Sequence, residues 1–281
     1  MNNSIVNFSS EASTNSMTHS FWLVNRLDIF LYSINLLFGF PLHAYVIWLI
    51  ITGTRSGVAS GFFSLNLSVS EIGNCLNSLV CIVDSCLWIP QLKTLTWFLL
   101  GLGIAGRPLF QCLICVERYL AVVHPVTFLK YKPLRYRVIC CTVAWMITLG
   151  SCLCCMFTVI LQTIIFLWFY SIQFVLLLFI QLICLVTVLW ALKQSGPGER
   201  GRERKEENHM KRRAFCLILI TTVTMIFTYV PFTISGFSVI HTQQFIKELF
   251  SFGFICYVLA GFVQPILYLH RSGKLFCFCS P

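Results

Sequence analysis

Long apolar runs alternate with short polar segments along almost the whole chain, and the apolar runs have the length of membrane crossings. A helix that spans a bilayer needs roughly 20 predominantly apolar residues. Seven windows meet that criterion, at about 27–52, 59–87, 95–122, 138–161, 166–192, 213–240 and 245–269. The fourth and fifth form one tract too long for a single crossing, and a break at Gln162-Thr163 leaves only a very short turn. The pattern predicts an all-α membrane protein built as a seven-transmembrane helix bundle over residues 27–269, with a polar N-terminal segment, 1–26, and a short tail, 270–281.

Composition agrees. The chain is 57% hydrophobic and 11% charged with a mean hydropathy of +0.81, too apolar and too poor in charge for a soluble domain. Its net charge of +10 is distributed unevenly between the two sides. Alternate loops carry Arg55; Lys130, Lys132, Arg135 and Arg137; a cluster from Lys193 to Arg213; and Arg271 and Lys274, against only Arg26, Lys93 and Lys247 opposite. Basic residues collect on the cytoplasmic side, so the expected N-terminus is outside and the C-terminus in the cytosol, at the plasma membrane. The basic balance therefore marks topology and not nucleic-acid binding.

Residues 1–20 are polar and rich in Ser, Thr and Asn, without the charged n-region of a cleavable signal, so the first span is expected to act as the insertion signal. Asn2-Asn3-Ser4 and Asn7-Phe8-Ser9 match the glycosylation acceptor, which makes Asn2 and Asn7 candidate sites on an outside segment. Of the 15 cysteines nearly all fall inside spans, where they serve as small apolar fillers, and no disulfide is expected. Cys277 and Cys279 follow the last span beside Lys274 and are candidate palmitoylation sites. The charged stretch 194–208, with Gly196, Pro197 and Gly198, reads as a flexible loop.

The end of the third span carries Glu117-Arg118-Tyr119, followed by Leu-Ala-Val-Val-His124-Pro125. Ionisable groups near hydrocarbon are costly, so an acid and an arginine together there imply a charge held for a partner or a rearrangement. The run resembles the E/D-R-Y signature of rhodopsin-like (class A) G-protein-coupled receptors. Pro231 and Pro265 each fall inside a span, where proline frees a carbonyl one turn earlier and kinks the helix. Phe227-Thr228-Tyr229-Val230-Pro231 is similar to that family's Cys-Trp-x-Pro switch, with Tyr229 for Trp. Gln264-Pro265-Ile266-Leu267-Tyr268 is similar to Asn/Asp-Pro-x-x-Tyr, with Gln264 for Asn. Trp145 and Leu65-Asn66-Leu67-Ser68-Val69-Ser70-Glu71 complete the resemblance, which covers about residues 27–275. It implies a receptor that binds an extracellular ligand, activates a heterotrimeric G protein, contacts membrane lipid and needs no cofactor. Glu117, Arg118, Tyr119, Tyr229, Pro231, Pro265 and Tyr268 are its implied coupling and activation residues. No H-E-x-x-H, P-loop or G-x-S-x-G occurs, and no metal-spaced His/Cys set, so no enzyme is expected.

Arg107 precedes Arg118 by eleven residues, about 16 Å along a helix and nearly the same face. Glu71 lies about as deep in the second span. Intramembrane charges face the interior and pair, so the spacing predicts a Glu71–Arg107 salt bridge. His43 and Gln264 are expected in the same layer, completing a buried polar network of His43, Glu71, Arg107 and Gln264. Two readings stand: structural glue, or a tethered cation. The second follows from the resemblance, because relatives hold a sodium ion on an aspartate where this chain has Glu71.

The remaining departures bear on ligand and coupling. Lys93 occupies the position of the family's span-three cysteine, and Lys211 the place where some relatives carry an acid that restrains the E-R-Y arginine. Leu100 stands where amine receptors have an aspartate, which disfavours a monoamine. Leu100, Tyr170, Gln173 and Tyr229 are the candidate pocket for a small or lipid-like ligand, with Asp84, Lys93, His241, Gln243, Gln244 and Lys247 as further polar groups near the outer end. An aromatic in place of the switch tryptophan is similar to the nucleotide and lipid-mediator branch. Two alternatives are a non-signalling homologue acting as decoy, chaperone or dimer partner, and a transporter or channel using the Glu71–Arg107 pair.

Overall fold

A computed structural model describes residues 26–53, 55–87, 90–131, 134–161, 165–194, 202–242 and 247–272. These form α1 (Arg26–Thr52), α2 (Arg55–Leu87), α3 (Pro90–Val123), the short α4 (Pro125–Tyr131), α5 (Leu134–Leu161), α6 (Ile165–Gln194), α7 (Arg202–Thr242) and α8 (Lys247–Arg271).

Six of the seven long helices, α1, α3, α5, α6, α7 and α8, are apolar enough to cross a membrane on composition alone. At 33 residues α2 is also long enough, about 50 Å. Its polar positions dilute it, and they are inward-facing: Ser68, Ser70, Glu71, Asn74, Asn77 and Ser78 are all buried. The bundle interior thus takes up the polarity of α2, while Leu37, Met146, Ile172 and Trp190 face outward. On a water-soluble protein that surface would aggregate, but hydrocarbon solvates it.

The axis of the bundle is α3, which packs against α2, α5, α6 and α7. Two thirds of its apolar window (67%) is buried, against 22% for α6. Close approach to α5 requires Gly101: a Cβ there would lie 2.7 Å from the Cys152 Cα. One cluster joins α2, α3 and α5 through Phe63, Leu67, Phe110, Ile114 and Ala144, with Trp145 packed on it. A second joins α3, α6 and α7 through Cys112, Phe174, Leu177, Met225 and Tyr229. Contacts of α1 with α2 and α8, and of α7 with α6 and α8, complete the bundle.

Three local features depart from the sequence reading. Helix α1 contains a π turn at Asn35–Gly39. Pro41 follows it closely; having no N–H and a bulky ring, proline cannot complete the bond to the carbonyl four residues back, and the wider turn absorbs the mismatch. Pro108 lies inside α3 next to Arg107, so the Ile104 carbonyl loses its usual amide partner. Helix α7 begins at Arg202, inside the stretch expected to be a flexible loop. Past Gly201 the chain is Arg, Glu and Lys, good helix formers that extend a helix already nucleated by the span.

Candidate functional site

Glu71 and Arg107 form the centre of the interior. Arg107 is 1% and Glu71 4% exposed. The guanidinium and carboxylate meet side on: Arg107 Nε donates to Glu71 Oε1, and Nη2 to Oε2 at 2.6 Å. Such fork-to-fork pairing is the strongest form of an ion pair. The third arm, Nη1, donates to the Tyr257 carbonyl at 2.5 Å, and the guanidinium carbon lies 4.0 Å from the centre of the Tyr257 ring. One arginine on α3 thereby ties α2 to α8. Asn74 Nδ2 approaches Glu71 Oε2 at 3.5 Å. Room for the guanidinium comes from Gly261, where a Cβ would lie 3.2 Å from Nη2.

His43 is buried close by, at 2% exposure, and its Nδ1 has no hydrogen-bond partner. Gln264 differs from expectation. Its Nε2 donates to Thr221 Oγ1 on α7 at 3.1 Å, not to the ion pair. Three residues along α8 from Gly261, it is turned toward α7, and it borders a cavity of about 10 Å³ lined also by Ser64, Ser68, Pro265 and Tyr268. That is room for about one water.

At the Arg118 end of α3, the two charges of the E-R-Y run separate. Glu117 Oε1 accepts from Arg137 Nη2 on α5 at 2.9 Å, with both side chains buried. Arg118 is half-buried, and its Nε is shielded from solvent with no acceptor among the described residues. Adjacent helix positions point about 100° apart, and the acid is taken by a neighbouring helix. Tyr119 Oη lies 3.1 Å from His124 Nε2, with the rings edge to face.

Tyr229, on α7 two residues before the buried Pro231, is 5% exposed, stacks obliquely on Phe174 at 5.6 Å, and has an unpartnered hydroxyl. Trp145 Nε1 donates to Asn66 Oδ1 at 2.9 Å, joining α5 to α2. The Tyr170 hydroxyl donates to the Ser151 carbonyl at 2.9 Å, which makes it a tie between α6 and α5. Gln173 is half-buried with both amide atoms shielded and unpartnered, Leu100 is half-buried, and Lys93 is exposed. One Asp84 oxygen is likewise shielded without a partner. No cysteine among the described residues is joined in a disulfide, and Cys112, Cys115, Cys152 and Cys184 are buried fillers. Asn2, Asn7, Cys277, Cys279 and the side chains of His241, Gln243, Gln244 and Lys247 lie outside the described residues.

Sequence reasoning missed Arg137, Thr221 and Tyr257. Arg137 had a signal, a basic residue at the start of a helix packed against α3. Tyr257 had none: one of its contacts with Arg107 is through a backbone carbonyl, and the other depends on where packing puts its ring.

Residues 44–268 match the 7 transmembrane receptor (rhodopsin family), and the chain belongs to that family. It is a multi-pass membrane protein of receptor type, not of an enzyme family. Over 132 residues it is 30% identical to the rat uracil nucleotide/cysteinyl leukotriene receptor, and equally to the mouse protein of the same name. The match takes in 44% of this chain and spans 38% of the length of those relatives.

Proposed function

We propose that this chain is a plasma-membrane receptor, N-terminus outside and C-terminus in the cytosol, that binds an extracellular ligand and activates a heterotrimeric G protein. The observation that carries the reading is Arg118 itself. A guanidinium at the end of the axial helix of a rhodopsin-family bundle, with a shielded Nε that has no acceptor among the described residues, is a donor set awaiting a partner. Family membership and the similarity to receptors named for a uracil nucleotide and a leukotriene favour a small, polar-headed or lipid-like ligand over a monoamine.

In this mechanism ligand biases a two-state equilibrium. Tyr229 feels the ligand through its packing on Phe174; α7 swings at Pro231; the Gln264–Thr221 contact parts; and Tyr268 repacks beside Pro265 as Arg118 meets the G protein. Arg107 holds on Glu71 the positive charge that relatives take from sodium.

The experiment is nucleotide exchange on a panel of G proteins by the wild type and by Arg118→Ala at matched surface expression, in cells screened with nucleotides and lipid mediators. Exchange by the wild type and its loss in the variant support the reading; exchange unaffected by the variant overturns it.

A further inference from the structure

Glu117 and Arg118 are neighbours in sequence and yet serve different helices. Glu117 faces α5, where Arg137 occupies its carboxylate at 2.9 Å behind 93% burial. Arg118 faces the end of the bundle, where the charged groups acting on it are Arg271, Glu117 and Arg137. Among the described residues, two of these are cations and the single acid is already engaged. Glu117 and Arg137 also bracket α4, whose entry is held by the Tyr119–His124 contact.

We propose that Arg137 is a positioning residue for coupling: by holding Glu117 against α5 it withholds the adjacent carboxylate from Arg118 and leaves that guanidinium open to acceptors on the cytosolic partner. This rests on the receptor reading above for its consequence, but the arrangement itself is chemical and is measured without a G protein. A buried carboxylate that loses its cation is costly to leave unpaired. With Arg137 neutralised, Glu117 has the adjacent Arg118, on which its charge already acts, as an available cation, and side-chain flexibility on α3 lets them meet. Removing a positive charge one helix away thus converts Arg118 from an open donor into a closed one.

The test is the rate at which phenylglyoxal, an arginine-specific dicarbonyl, modifies Arg118 in purified full-length receptor, read by mass spectrometry of the peptide that contains it. Arg137→Gln is expected to slow modification on the order of fivefold, as capture in an ion pair would. Arg137→Lys, which keeps the cation, stays near the wild-type rate, and Glu117→Gln/Arg137→Gln, which leaves no carboxylate to capture Arg118, recovers it. A merely structural Arg137 would leave the single and double variants alike, and that result overturns the proposal, as does an unchanged rate in Arg137→Gln. Nucleotide exchange measured alongside should fall in Arg137→Gln and recover in the double variant. Absence of exchange from the wild type with every G protein refutes the receptor reading and leaves the modification rates to decide the role of Arg137.

Discussion

Arg107 holds Tyr257 twice, donating from Nη1 to its carbonyl at 2.5 Å and lying 4.0 Å from the centre of its ring, while the other edge of the same guanidinium grips Glu71. A single charged side chain thereby fixes the mutual placement of α2, α3 and α8. Removing one member of a buried ion pair costs about 3–5 kcal/mol, whereas replacing both with neutral groups is often close to neutral. Glu71→Gln and Arg107→Gln are each expected to lower the thermal midpoint and the amount of folded receptor, and the double change to recover much of the loss. Simple additivity of the two losses would show that the residues do not interact.

The same grip bears on ions. Both carboxylate oxygens of Glu71 face Arg107 donors, so a sodium ion would have to displace a charge-assisted pair to bind there. Ligand affinity and thermal midpoint should be the same in sodium chloride and in N-methylglucamine chloride at equal ionic strength. A sodium-specific shift that vanishes in Glu71→Gln would refute the tethered-cation reading.

Gly101 sets how closely the axial helix meets α5. A Cβ there would fall 2.7 Å from the Cys152 Cα and 3.2 Å from its nitrogen, both backbone atoms that cannot swing aside. Gly101→Ala is expected to destabilise by about 1–3 kcal/mol through overpacking, despite alanine's better helix propensity. Gly150, with open space around its Cβ position, is the control: Gly150→Ala should be neutral or stabilising in the same thermal assay.

Two features favour basal activity in the wild type. Glu117 is engaged by Arg137, and Lys211 stands where some relatives carry an acid opposite the arginine. Ligand-free exchange above that of mock-transfected cells is expected at confirmed surface expression. Lys211→Glu should reduce it by restoring the acid that restrains this arginine in those relatives; equal signals from receptor and mock cells would count against both statements.

The Gln264–Thr221 bond links α8 to α7 beside Pro265, and it must part if α7 swings. Interhelical hydrogen bonds in a bilayer are worth about 0.6 kcal/mol, up to roughly 1.7. Thr221→Val should therefore raise basal exchange by about threefold. No change in basal exchange, with folding intact, would place the moving element elsewhere.

The sequence by itself determined the seven long helices, their approximate limits in the membrane and one of the charge pairs they bury. Hydropathy at span length has one physical cause: backbone N–H and C=O groups in hydrocarbon must be satisfied within the segment. The cost of intramembrane charge likewise made Glu71 and Arg107 legible as partners, since spacing gave their depth and burial required a pairing. Such reasoning fixes depth along a helix well and direction around it poorly. Only tertiary packing decided that Glu117 goes to Arg137 and not to Arg118, that Gln264 turns to Thr221, that Tyr170 is spent on the Ser151 carbonyl, and that Arg107 finds its third acceptor on the backbone of Tyr257. Each of those choices depends on which helix lies opposite a side chain at a given rotation. Helix neighbours are set by the packing of Gly101 on α5 and of the apolar clusters around α3, contacts between residues distant in sequence that no local pattern records.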